Sequence, residues 1–476
     1  MPREVRAARL VDQSCDHHNR KLAITPNAPQ TGVGPHLRRP AGGTVQMPGI
    51  PEWIETDDYF LSSRNPIATT DQLAVQRTAL RLLARDDVKD SIRQARFLWA
   101  TVSETASEQA KGLLDDFIQE YGLNYVQKAC NSDPEYPRVF QNWMIAHEWF
   151  GISMPSARIG GDNPDNGYRL IPVEHGGHYR IEGKRLGRGP ADVTWTIVAN
   201  PGTSITLASL ENEDLVVTPD GRFTVTVDDQ PANGRPNHLQ TQRDALFLFV
   251  RDALGDWDRE RPNALRVTRL NPTGRPPLDE DEMAYRAIKW MLGDVPLYHW
   301  FTMLTHGKPA NRLIPPVASG SVGGLRSQLS CYGTLRVADD EAYVITVNGG
   351  NAAFRDIVVH DWWHRSIAPH RSTGSLNNAQ IAADEDGNYT FAIGPTDPGI
   401  HNWLDTGGLN ETIMLHRWQG VPRETPEHDL PRLVREQLVK LSDIATVTPG
   451  AKWVTPAERQ RQIAGRWSSW SGRLAL

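Results

Sequence analysis

Between residues 69 and 150 the apolar positions recur every three to four residues, the period of a helix with one buried face. Asp71 can cap a run carrying Leu73, Val75, Leu80, Leu82 and Leu83. Ile92, Ala95, Phe97, Leu98 and Val102 make a second run. Leu113, Leu114, Phe117, Ile118 and Tyr121 make a third, closed by Gly122. A fourth helix is predicted over 138–150, with Trp143, His147 and Trp149. From Pro155 the period drops to two. Segments beginning at Tyr168, His178, Val193, Ser204 and Phe223 alternate apolar and polar residues, are rich in β-branched side chains, and are separated by Gly, Pro, Asn and Asp. That is the pattern of antiparallel strands.

Two helical stretches are predicted next, over 242–254 and 279–304. The second opens on acidic residues, which suit the positive end of a helix dipole, and Pro296 is expected to bend or end it. Strand patterns return at Gly333, Tyr343, Phe354, Tyr389 and Ile413, and a helical pattern resumes from Leu430 through Leu433, Val434, Leu438, Leu441 and Ile444. About ten strands in two blocks most simply close one structure, because each sheet buries one face against another layer. The chain is therefore read as α+β: an antiparallel β-sandwich or jelly-roll-like core with a helical N-terminal region, a helical insertion and a helical C-terminal segment. The expected boundaries are a flexible arm over 1–68, a helical region over 69–154, a sandwich domain over 155–425 interrupted at about 237–306, and a C-terminal segment over 426–476. No internal repeat is visible.

Length and composition narrow the function classes. At roughly 150 residues per domain, 476 residues make two or three units. Hydrophobic residues at 39% and charged residues at 23% exclude a collagen-like fibre, a fully disordered chain and a membrane bundle. A net charge of −6 argues against nonspecific nucleic-acid binding, which needs a basic face. Cys15, Cys130 and Cys331 are widely spaced with no CxxC, as suits a reducing compartment. No leader pattern opens the chain and no apolar run approaches the roughly 20 residues of a membrane span, so a cytoplasmic protein without a membrane partner is expected. The 15 Trp residues point to heavy packing anchors or to an aromatic binding cavity.

The densest candidate site is His360-Asp-Trp-Trp-His364-Arg365. Residues four apart share a face on a helix and on a strand alike, so His360 and His364 are expected on one side, in an acid–base or metal-ligand geometry. The competing reading is that both pack beside Trp362. HExxH is absent, because Asp361 follows His360. A second cluster, His401-Asn402-Trp403-Leu404-Asp405, sits in a Gly- and Pro-rich loop. It can equally be a structural corner with Trp403 plugging the core. A third, 174–178, is explained by a turn at Gly176-Gly177. Asp115-Asp116 is read as a solvated helix face. No phosphate-binding loop, GxGxxG or GxSxG stands at a strand-to-helix junction, so nucleotide and dinucleotide cofactors are not expected.

Asn163-Pro-Asp-Asn-Gly-Tyr168, Tyr179-Arg-Ile-Glu-Gly183, His401-Asn-Trp-Leu404 and Leu415-His-Arg-Trp418 resemble the bacterial domain-of-unknown-function family numbered 1214. The resemblance spans about 160–420 and implies a β-sandwich; it brings no established reaction. Three functions are carried forward. The first is an enzyme acting on a small, largely apolar or ring-containing substrate by lyase, hydrolase or isomerase chemistry. Its acid–base groups would be His360, His364, His401 and Asp405, with room for a divalent metal. Arg365 or Arg417 would meet developing negative charge, and Trp362, Trp363, Asn402 and Trp403 would hold the substrate. The second is a protein that binds a carbohydrate or hydrophobic ligand without chemistry. The third is a structural protein whose terminal segments build a homo-oligomer.

Overall fold

The computed structural model describes residues 54–318 and 325–476, so most of the expected arm, with Cys15, lies outside the described residues. Its last part, 54–68, is packed: Phe60 bridges Thr69, and the Tyr59 hydroxyl donates to Asp71 at 2.9 Å. Four helices follow: α1 (Thr70–Leu83), α2 (Asp86–Val102), α3 (Glu108–Gly112) and α4 (Leu114–Cys130). Thr69, not Asp71, caps α1, its hydroxyl accepting from the Gln72 amide. Gly122 does not end the third predicted helix. It lies inside α4, where a Cβ would meet Ile92 at 2.8 Å, so the glycine serves close helix packing.

The expected helix over 138–150 is replaced by β1 (Phe140–Gln141) and β2 (His147–Trp149), the latter a hairpin with β3 (Ile152–Met154). Pairing of Phe140 with Leu170 overrides the local helical spacing. Then come β4 (Asn166–Pro172), β5 (Tyr179–Lys184), β6 (Asp192–Val198), β7 (Thr206–Glu211), β8 (Arg222–Asp228), β9 (His238–Gln240), β10 (Phe247–Ala253) and β11 (Ala264–Arg269). The predicted helix over 242–254 is thus strand β10. It runs between β4 and β6 with both faces buried, and such strands lose the alternation that marks exposed ones. The helical insertion shrinks to α5 (Glu280–Gly293) and α6 (Val295–His306). They are separate helices because Pro296 falls in the first turn of the second, where its missing N–H costs nothing. Helices α1, α2, α4 and α5 share a core that includes Leu82, Val88, Phe117, Tyr121 and Met291.

The last block is β12 (Ile314–Ala318), β13 (Leu329–Arg336), β14 (Glu341–Asn348), β15 (Phe354–His360), β16 (Ser375–Asn377), β17 (Tyr389–Gly394), β18 (Trp403–Asp405), β19 (Glu411–Gln419) and β20 (Arg432–Lys440). The stretch after Leu430 is therefore an edge strand against β14 before it becomes α7 (Ile444–Val447) and α8 (Pro456–Leu474). A capping box between Thr455 and Glu458 starts α8, and Arg466 pins it to the Pro369 and Ser372 carbonyls. No helix among the described residues is long and apolar enough to cross a membrane.

The α+β class with a sandwich-like core is what the chain forms, but it forms two sandwiches, not one. The first pairs sheet β1-β4-β10-β6-β7 with sheet β11-β5-β8-β9; the second pairs β12-β13-β19-β15-β16 with β18-β17-β14-β20. Substituting β12 for β1 and β13–β20 for β4–β11 turns one order into the other. The match includes the parallel pairs β8–β9 and β17–β18. The chain thus contains a duplicated strand topology. Each copy has its own core, around Ile171, Trp195 and Val225 in the first and Ile345, Phe391 and Trp418 in the second. Helices α5 and α6 join the copies.

Candidate functional site

Alternation along the strands sends successive side chains to opposite faces. On β10, Leu248 and Val250 enter the first core while Phe249 and Arg251 point the other way. On β19, Met414 and Trp418 enter the second core while Leu415 and Arg417 point away from it. These outward faces belong to corresponding sheets of the two copies, and together they line one cavity of about 370 Å³. That volume is within the range of small-molecule sites. The cavity therefore lies between sandwiches, not inside one.

Helix α6 closes a side with Leu297, Tyr298, Phe301 and Thr305, and the loop Ile159-Gly160-Gly161-Asp162 closes another. Gly160 has φ +67°, and a Cβ there would meet the Tyr298 ring at 2.8 Å, so only glycine lets this loop approach α6. Trp143, Tyr168 and Phe249 make an aromatic corner, with Trp143 stacked on Phe249 at 5.3 Å and Tyr168 tilted against both.

His360 ends β15 on the cavity wall and is fully buried. Its Nε2 is 2.8 Å from the Asp162 carbonyl oxygen, which can only accept, so Nε2 carries the proton and Nδ1 holds a lone pair. Nδ1 is buried without a hydrogen-bond partner. Burial, helped by the Arg417 charge, pushes the imidazole pKa down to about 3, so the ring is neutral at pH 7. The Asp162 carboxyl accepts from the Ser366 amide at 2.8 Å and hydroxyl at 2.6 Å, and burial lifts its pKa to about 6.

His364 reaches the same cavity by a turn, neither along a helix nor along a strand. Asp361 accepts from the amides of Trp363 and Arg365, and His364 adopts φ 61°. Its carbonyl accepts from Gly161 at 2.8 Å; its ring packs on Phe301 at 4.9 Å, with Thr305 Oγ1 3.5 Å from Nε2. Burial and the neighbouring His306 and His360 hold this imidazole well below its ordinary pKa.

The other expected site residues divide. Arg417 lines the cavity, donating to the Gly161 carbonyl at 2.5 Å and lying 3.5 Å from Asp356. Arg365 does not; it is held by Asp361 at 2.8 Å and Glu120 at 3.0 Å. Trp362 stacks on His306 at 4.5 Å, and Trp363 stacks on Phe117 at 5.0 Å while its Nε1 donates to the Ala110 carbonyl. Both tryptophans belong to the helical core, so they are packing anchors and not cavity walls. His401, Asn402, Trp403 and Asp405 do not converge with His360 and His364. Strand β18 pairs into the opposite sheet of the second sandwich, across that sandwich's core. There His401 donates to the Gln380 carbonyl at 3.2 Å, Asn402 bridges Ala382 and Thr390, and Trp403 lies beneath Arg459. Asp405 accepts from the Gly407 amide at 2.7 Å. The corner is built by these bonds. Among the described residues no three His, Cys, Asp or Glu side chains come together as a metal-ligand set, so the metal allowed for at His360 and His364 gains no third ligand.

The cavity also contains groups the sequence reading passed over: Asp162, Tyr168, Arg251 and Tyr298. One signal was available for Arg251, an arginine inside the apolar run Phe247-Leu-Phe-Val-Arg251.

Residues 334–420 match the family described as Protein of unknown function (DUF1214). The resemblance is thus carried by the second sandwich, a narrower span than 160–420. A solved structure of an uncharacterized protein from Burkholderia cenocepacia is similar in fold, with 24% identity and a TM-score of 0.62, covering 76% of this chain and 99% of that one. A Vibrio parahaemolyticus protein of solved structure shares 10% identity at a TM-score of 0.37, covering 67% of this chain and 98% of that one. A search of curated proteins returned no match.

Proposed function

We propose that this chain binds a small, largely apolar, ring-containing molecule in the cavity between its two sandwiches. The supporting observation is the aromatic corner of Trp143, Tyr168 and Phe249 facing Leu415 across about 370 Å³. Apolar walls with a few placed polar groups are what small-ligand sites share. His360, neutral with a pKa of about 3 and without exposed surface, stands in the wall behind the ligand and does not serve as its base.

The test uses an uncharged ring. Indole is expected to raise the thermal midpoint of the wild-type chain by a few degrees at concentrations well above its dissociation constant, as mass action requires. Leu415→Trp, which fills the space from the β19 side, is expected to keep the fold and lose that shift. Equal shifts in both proteins would place the binding elsewhere and overturn the proposal.

A further inference from the structure

We infer that the mouth of the cavity docks on an anionic lipid surface and, resting on the reading above, that the apolar ligand passes directly between that surface and the cavity. Trp300 on α6 and Val317 on β12 both line the cavity and are 46% and 42% exposed, so among the described residues the cavity opens to the outside between these two elements. The loop 200–205 borders the same opening. Gly202, Thr203 and Ser204 line the cavity, and a Cβ on Gly202 would meet Leu297 of α6 at 2.8 Å. Two further exposed apolar side chains stand on these rim segments without lining the cavity: Ile205, next to Ser204, and Met303, one helical turn beyond Trp300 on the same face of α6.

The charges on the rim are of one sign. Residues 199–210 carry no charged side chain, and residues 295–318 carry no carboxylate and only Lys308 and Arg312 as fixed charges, although charged residues make up 23% of the chain. Lys308 is exposed, and the Arg312 side chain is 77% exposed with Glu436 at 3.7 Å. Asp294, which precedes α6, accepts from the buried Tyr125 hydroxyl at 2.8 Å. An exposed apolar rim marks a contact surface. Trp and Met beside cations suit the headgroup region of a bilayer, which takes up apolar side chains and attracts basic ones. A second copy of the chain fits less well, because a symmetric contact sets these cations against each other. The expectation of no membrane partner rested on the lack of a spanning segment, which surface docking does not need. An apolar molecule taken up this way moves between two apolar environments without dissolving in water.

The experiment is co-sedimentation of the full chain with vesicles of phosphatidylcholine alone and of phosphatidylcholine mixed with phosphatidylglycerol, at low and high salt. Wild type is expected to partition several-fold more onto the mixed vesicles, and salt is expected to reduce that preference. Ile205→Ser combined with Met303→Ser is expected to lower partitioning roughly tenfold or more. The same double variant is expected to keep the indole shift of the thermal midpoint, because neither residue lines the cavity. Lys308→Glu is expected to remove the preference for the mixed vesicles. Wild type that stays in solution, or a double variant that partitions as wild type does, overturns lipid docking, and an indole shift that persists leaves the cavity reading standing. Vesicle binding without any indole shift keeps the docking surface and overturns the cavity reading. A wild-type dimer, seen by light scattering, that the two serine substitutions dissociate would assign the rim to a second copy and overturn the lipid assignment.

Discussion

Replacing Lys128 by methionine is expected to stabilise the protein by about 3 kcal/mol at pH 7, and the gain is expected to shrink almost to nothing near pH 10. Lys128 lies on α4, fully buried, and its Nζ has no hydrogen-bond partner. Its contacts are the faces of Tyr125 at 4.8 Å and Trp143 at 4.6 Å, the second of which is a wall of the cavity. Burial pushes its pKa from 10.5 down to about 7, with Asp294 opposing only in part. Between those two values the unfolded chain holds a proton that the folded chain lacks, so wild-type stability rises with pH across that window. Below pH 7 both states are charged and the full cost of the buried ammonium applies. At 1.36 kcal/mol per pH unit the drop corresponds to roughly 5 kcal/mol, and the two cation–π contacts return about 1 kcal/mol each. Methionine has a similar length and no charge, so it keeps the packing and removes the cost. Urea midpoints of both proteins at pH 7 and pH 10 check the claim. A variant no more stable than wild type at pH 7, or a gain undiminished at pH 10, would refute it.

How much of this was legible in the sequence depended on how each element is solvated. Helices α1 and α2 show their apolar stripe because their other faces meet water, and strands β5 and β8 show their alternation for the same reason. Strand β10 was unreadable as a strand because neighbours cover it on both edges and apolar groups cover both faces. The duplication is a repeat of strand order. Loop lengths and side chains differ between the copies, so no sequence period records it. His360 and His364 line the same cavity, but through the turn at Asp361 and by neither of the two periods their spacing suggested. Their separation from His401 and Asp405 was not readable either, because sheet membership is set by pairings far apart in the chain. Trp362 and Trp363 look like ligand platforms in a line of text. Only the placement of α4 and α6 shows that they are spent on packing.

Glu120→Gln is expected to cost about 3–5 kcal/mol of stability and to weaken ligand binding in whatever protein still folds. Glu120 lies on α4, and its carboxylate is shared by two arginines. Arg158 Nη2 approaches at 2.6 Å and Nε at 2.9 Å, and Arg365 Nη1 at 3.0 Å; the Arg158 amide also donates to it at 2.9 Å. Arg158 leads into the Gly160-Gly161 loop, and Arg365 follows His364. One carboxylate thus ties the helical region to both loops that shape the cavity. Removing its charge leaves two guanidinium groups in a largely buried place with Asp361 and Asp162 as the remaining near anions, and an under-compensated buried charge is far costlier than a lost surface pair. Asp115, on the exposed side of the same helix beside Arg96, supplies the control. Asp115→Asn removes an ion pair that water already screens and is expected to cost under about 1 kcal/mol. Urea unfolding of the two variants measures the contrast, and calorimetry with indole on the folded fraction reads the cavity. Equal, small losses from both substitutions would mean that Glu120 does not clamp the loops, and the cavity's shape would then rest on α6 and the Gly160 approach to Tyr298 alone.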